Sequence, residues 1–159
     1  MKSVMAIFLL LTSGFSMDGS SKAKGWRGIV PLYSTRADVE RLLGPPANKG
    51  DCIQSLCSYY LDDVNVHFNY SPGDCKSGRG IWNVPPGTVV WITVYPKPNT
   101  RLSDLKIDES KFKKGQKGHI EAEISYENEE EGLTLMVYEG MVQTFLYGPA
   151  GKDQHLRCP

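Results

Sequence analysis

The chain has 159 residues, room for one domain rather than two. Its 40% hydrophobic and 23% charged residues are the proportions of an ordinary folded globular protein. The 18 basic and 18 acidic residues cancel, so the basic excess that marks a nucleic-acid binder is absent.

The N-terminus has its own character. Lys2, the apolar run Val4 to Leu11 and the small polar stretch after it form the charged end, short core and tail of a signal peptide. A membrane span needs ~20 apolar residues, far more than this run offers. Ser21 and Ala23 are small enough to precede a cleavage site, which places the cut after Ala23. A cut near Ser16 and an uncleaved, buried N-terminal helix are the alternatives. Cleavage after Ala23 would remove Lys2, Lys22 and Asp18 and leave a net charge of −1. The expected product is one domain, residues 24–159, secreted or periplasmic and without a transmembrane span. Cys52, the first cysteine, lies too far from the apolar run to carry a lipid anchor.

The stretch YSTRADVERLLGPP, Tyr33 to Pro46, spells a short helix over about 35–43. Thr35 and Asp38 are spaced as a capping box, and Gly44 with Pro45 and Pro46 ends the run. Val39, Leu42 and Leu43 share one side, with Arg36 and Glu40 opposite. So short a helix does not stand alone in water and must dock on something.

The rest of the chain supplies the platform. CSYYL and VNVHFNY flank Asp62-Asp63, a hairpin turn, and the second run alternates with Asn65, His67 and Asn69 on a wet side. TVVWITVY, Thr88 to Tyr95, is apolar on both sides and reads as a central strand with Trp91 in the core. A helical turn is expected from Ser103. IEAEISYE puts Ile120, Ala122, Ile124 and Tyr126 inward and its glutamates and Ser125 outward. LTLMVY and MVQTFLY flank the tight turn Glu139-Gly140. The expected fold is α+β, a mostly antiparallel sheet of about six strands with one short helix packed on one face.

Export makes Cys52, Cys57, Cys75 and Cys158 a disulfide set with three possible pairings. Cys52–Cys57 with Cys75–Cys158 is the favoured one; a zinc site is the competing reading, weakened by the lack of a CxxC pair. His67, His119 and His155 are scattered, and no GxSxG elbow accompanies them. SGRGIW, Ser77 to Trp82, lacks the P-loop lysine and the dinucleotide-binding spacing. No catalytic, cofactor-binding or metal-binding residue is therefore assigned. Trp26 and Trp82, beside glycine-rich loops, and the lysines Lys111, Lys113, Lys114 and Lys117 form a candidate interaction surface. The alternative is that both tryptophans cap core edges and the lysines only keep strand edges solvated.

The segment GIVPLYSTRADVERLLGPP resembles the opening motif of the SmpA/OmlA and β-lactamase-inhibitor-like group, matching it at Thr35, Val39, Leu42, Leu43, Gly44 and Pro46. SYYLDDVNVHF resembles that group's first hairpin. As a whole the chain is similar to small uncharacterised secreted bacterial proteins. The resemblance implies a helix packed on an antiparallel sheet; the acylated cysteine of the outer-membrane assembly lipoproteins is missing. Three readings follow: a non-catalytic module that contacts a protein partner in or outside the cell envelope, a small-ligand carrier with a pocket between helix and sheet, and a hydrolase.

Overall fold

The structure, a computed structural model, describes residues 24–116 and 123–159. The signal-like segment 1–23 and Lys117, His119, Ile120, Glu121 and Ala122 lie outside the described residues.

One antiparallel sheet organises the chain. Its strands are β1 (Cys52–Ile53), β2 (Leu56–Tyr60), β3 (Asn65–Tyr70), β4 (Val89–Tyr95), β5 (Lys113–Gln116), β6 (Glu123–Asn128), β7 (Leu133–Tyr138) and β8 (Met141–Tyr147). They lie side by side in the order β1-β2-β3-β4-β8-β7-β6-β5. The fold is α+β with eight strands, where alternation in the sequence pointed to about six. Both additional strands are edges. β1 is two residues long, and β5 is the run Lys-Lys-Gly-Gln, so neither can display a period-two pattern. Their pairing comes from the open hydrogen-bonding edges of β2 and β6.

The helix α1 (Arg36–Leu43) starts on a complete capping box. The Thr35 amide donates to Asp38 Oδ2 at 2.9 Å, and the Asp38 amide donates to Thr35 Oγ1 at 3.3 Å. Arg41 adds a hydrogen bond to the other Asp38 oxygen at 3.1 Å. Hydrogen bonds from the Thr35 amide and hydroxyl, then from Arg41, hold the Asp38 carboxyl at a pKa of about 2. A depressed carboxylate pKa stabilises the fold above the ordinary value near 4 and ceases to as pH falls through about 2. Thr35→Ala is expected to cost ~1 kcal/mol in urea unfolding. The acid limb of the wild-type stability profile between pH 4 and 2 should flatten in Asp38→Asn, and an unchanged limb would contradict the cap.

Val39 is fully buried and Leu43 packs on the same core, but Leu42 is 44% exposed. The predicted three-residue stripe is thus narrower, because a helix of eight residues rests on the sheet along one line only. Gly44 ends α1 with φ +80° and ψ 174°, a positive φ that glycine tolerates, rather than in the left-handed cap.

Beneath α1, Ile29, Phe68 and Ile92 fill the interior with no exposed surface, joined by Tyr59, Val66 and Val94. On the other half of the sheet Tyr126, Leu133, Leu135, Val137 and Val142 form a second cluster. Leu102, Leu105, Ile107 and Phe112 cover it, so the segment between β4 and β5 acts as a lid over β6 to β8. A 3₁₀ turn at Leu102–Leu105 is what the predicted helical turn becomes. Phe145 and Tyr147 belong to both clusters and make one continuous sealed face. In β6, Tyr126 is inward, whereas Ile124 is 39% exposed and Ser125 is buried with its hydroxyl donating to Gly115 O at 3.2 Å. Inward and outward are therefore not divided as the alternation implied: a serine small enough to tuck against a glycine strand is hidden where an isoleucine is not.

A third cluster, Leu32, Trp82, Val84 and Val90, sits apart with Trp91 and Leu156 against it. An irregularity in the β3–β4 register lets Val89 join Ile92 and Val94 while Val90 turns to this third cluster. The C-terminal tail closes the cluster. The Asn83 amide donates to Leu156 O at 2.7 Å, the Cys158 amide donates to Ile81 O at 3.0 Å, and a disulfide joins Cys158 to Cys75. Asp153, fully buried, accepts from the Ala150 amide at 3.1 Å and the Tyr33 hydroxyl at 2.6 Å, which ties the tail to the segment before α1. The second disulfide joins Cys52 to Cys57 across the β1–β2 hairpin.

Candidate functional site

Pleating sends alternate residues of β2, β3 and β4 to opposite faces. One set is the sealed core described above. The register arranges the other set as a grid of three rows. Leu56, Asn69 and Trp91 stand across from one another in the first row; Ser58, His67 and Thr93 form the second; Tyr60, Asn65 and Tyr95 form the third. None of these side chains is buried, and Tyr60 reaches 63% exposure. The corners of the grid are aliphatic or aromatic, and the cross between them carries amides, hydroxyls and an imidazole. No position is Asp, Glu, Lys or Arg, in a chain where those residues make up 23%.

Local contacts fix the rings. His67 meets Tyr95 edge-on with centroids 5.0 Å apart. Trp91 lies against Gly148, where any Cβ would collide with its six-membered ring. Gly148→Ala is therefore expected to destabilise by ~1–3 kcal/mol and to shift the tryptophan emission, because the indole must move. An unchanged melting point with an unchanged spectrum would contradict this seat for Trp91. Ile53, paired with Leu56, extends the apolar rim of the grid onto β1 and is 67% exposed. Toward the far edge the same face turns ionic, since Thr93 leads through Leu146 and Thr134 to Glu127 and Lys113. The predicted central strand β4 is central, yet it is not covered on both sides: Trp91 and Thr93 are half-buried and Tyr95 is exposed.

Of the described residues singled out in the sequence, Lys111 and Lys113 line one cleft of 430 Å³ with Phe112 and Glu127 to Glu130, while Trp26 and Trp82 do not line it. Trp82 is 5% exposed and belongs to the third cluster, so it offers no exposed anchor. Trp26 is half-buried against Phe68, at 6.1 Å between centroids, with the Arg27 guanidinium 4.8 Å above it. Lys113 pairs with Glu129 at 3.2 Å and Lys114 with Glu109 at 2.8 Å, while Lys111 is exposed. The hydrogen bond that Lys114 donates to Glu109 raises the lysine pKa, and its ammonium also lies 5.0 Å from the centroid of the Tyr126 ring. Local glutamates thus answer two of the lysines. His67 stands on the grid and His155 in the C-terminal turn, its Nδ1 2.8 Å from Lys152 O. All four sulfurs are in disulfides, which leaves none to bind zinc. Among the described residues, no group of three or more His, Cys, Asp or Glu side chains is placed to hold a metal ion.

Two further clefts are present among the described residues. One of 320 Å³ opens beside the N-terminal end of α1, where Arg36 lies 4.6 Å over the Tyr70 ring and donates to Gln54 O at 3.3 Å. Behind it the Tyr59 and Tyr70 hydroxyls are buried without a hydrogen-bond partner, and burial raises both phenol pKa values. The other, 140 Å³, runs beside Trp91 and Leu146.

No protein-family model and no curated protein matches the chain. Among solved structures, the crystal structure of a DUF4309 family protein, YjgB from Bacillus subtilis, is similar, with a TM-score of 0.50 and 14% identity. The match covers 77% of this chain and 84% of that one. At such identity the likeness is one of fold.

The grid is what sequence reading missed. Its middle column was visible as Asn65, His67 and Asn69, but only the register brings Tyr60 and Tyr95 to either side of Asn65. Chemically the surface offers flat rings and neutral hydrogen-bonding groups. His67 has Ser58 and Thr93 as row neighbours, and no grid position is Asp or Glu.

Proposed function

We propose that this protein is an exported, non-catalytic contact module that engages a partner in the cell envelope or outside the cell through the outward face of β2 to β4. The observation that carries the reading is the three-row grid itself: an uncovered, uncharged sheet face whose opposite side is sealed by α1 and the core. Its lack of an assembled acid, base and nucleophile supports binding over catalysis. Two disulfides suit an oxidising compartment, and no helix among the described residues is long and apolar enough to cross a membrane. The helix-on-sheet arrangement shared with the SmpA/OmlA-like motif supports the same role. A carrier would need a largely apolar cavity of ~300 Å³ or more. The space beneath Val39 is instead filled, and the 320 Å³ cleft mixes Tyr70 and Pro72 with Arg36, Gln54 and two serines.

The test uses the full chain purified after export and immobilised. Envelope and extracellular fractions are passed over it and over Thr93→Arg, which places a charge at the edge of the grid's middle row. Retention of a reproducible component, reduced at least tenfold by Thr93→Arg in a variant that melts like wild type, is expected. Retention indifferent to Thr93→Arg would remove this face from the function.

A further inference from the structure

Resting on that contact face, we propose that its occupant is a neutral polysaccharide, bound across β2 to β4 with sugar rings stacked on Tyr60 and Tyr95. The corners and cross of the grid match what a sugar presents. A pyranose shows a flat face of C–H groups, weakly positive, which suits the negative π-face of an aromatic ring. Around its rim it carries hydroxyls that both donate and accept, as Asn65, Asn69, Ser58 and Thr93 do. Tyr60 and Tyr95 stand two strand spacings apart, ~10 Å, with Asn65 between them. Rings on those two positions reach alternate units of an extended glycan, while the amide between them meets the hydroxyls of the unit they bracket.

Charge excludes the other partners. An acidic peptide, a nucleic acid or an anionic headgroup would call for lysines or arginines, and no grid position is either. A second copy of the chain or a lipid surface would favour an apolar centre, whereas the centre here is His67 flanked by Ser58 and Thr93. Size argues the same way. Three strands and three rows give a footprint of roughly 300 Å² with side chains included. A stable protein–protein contact buries ~800 Å² on each partner, while a few sugar units need no more than this face offers.

The experiment measures retention of the full exported chain on cellulose, chitin and starch, with alginate as an anionic polymer, at low and high salt. Tyr60→Ala/Tyr95→Ala removes both rings from exposed positions, and Tyr138→Ala, at an exposed site on β7, is the control. Expected is retention on at least one neutral polymer, unaffected by salt, lowered at least tenfold in the double variant and unchanged in Tyr138→Ala. If the double variant melts early, Asn65→Arg, which keeps both rings, must give the same loss. Absence of retention on every neutral polymer, retention on alginate alone, abolition by salt, or indifference to these substitutions would each overturn the proposal. Should a protein from envelope fractions still be retained in a Thr93→Arg-sensitive way, the contact face stands and only the glycan falls.

Discussion

Replacing Cys158 with serine is expected to lower stability by ~4 kcal/mol, a large share of what a domain of this size has. The bridge to Cys75 spans 83 residues, and opening it returns the freedom of that loop to the unfolded chain. The native state suffers as well. The tail is held by the backbone bonds from Asn83 to Leu156 O and from Cys158 to Ile81 O, and Leu156 packs with Trp82, Val84 and Val90. Trp91 leans on that cluster, so a loosened tail also unsettles one corner of the grid. Urea unfolding of Cys75→Ser/Cys158→Ser, which leaves no stray thiol, gives the measurement. A loss below ~1 kcal/mol would mean that the tail is held without its disulfide.

Phe68→Ala should cost ~3–5 kcal/mol. Its ring is fully buried at the meeting point of the sheet and its cover, 5.5 Å from Tyr59, 6.1 Å from Trp26 and 6.4 Å from Tyr70 between centroids. Deleting it leaves a cavity directly under the element whose helix cannot persist undocked. Tyr60→Ala, one residue along β2 from Tyr59 but on the open face, should change stability by no more than ~0.5 kcal/mol. Equal losses for the two variants would show that both faces of the sheet are buried, against the architecture described.

What could be read from the sequence was local and short-range. The capping box at Thr35 and Asp38 needs only three residues of spacing, and it is present. The turn at Glu139-Gly140 was legible because glycine there permits a positive φ, and both residues adopt one, at +47° and +77°. β3, β4, β7 and β8 announce themselves by apolar content or alternation. The misses depend on partners outside the local pattern, some only a hairpin away and others distant in sequence. β5 is charged and contains glycine, so nothing in Lys113–Gln116 says strand until β6 lies beside it. Leu102, Leu105, Ile107 and Phe112 follow no helical or strand period, because a loop covering a sheet need only drop a side chain wherever it passes. Trp82 reads as a loop residue in a glycine-rich stretch and is buried because the C-terminal tail, 75 residues further on, pairs with it through Arg157. The grid is the clearest case: β2, β3 and β4 each contribute an unremarkable trio, and the uncharged surface exists only in their register. Leu42, conversely, had the right residue type for the core, but a single helix on a sheet buries a narrow line and leaves it outside.

The sealed and open faces of β2 to β4 can be told apart by one measurement, hydroxyl-radical footprinting of the folded protein at the neighbouring tyrosines Tyr59 and Tyr60. Tyr59 is 4% exposed and Tyr60 63%, so Tyr60 should be oxidised at least several times faster, with Tyr95 following it. Comparable protection of Tyr59 and Tyr60 would mean that the outward face is covered, and the contact surface on which the functional reading stands would not exist.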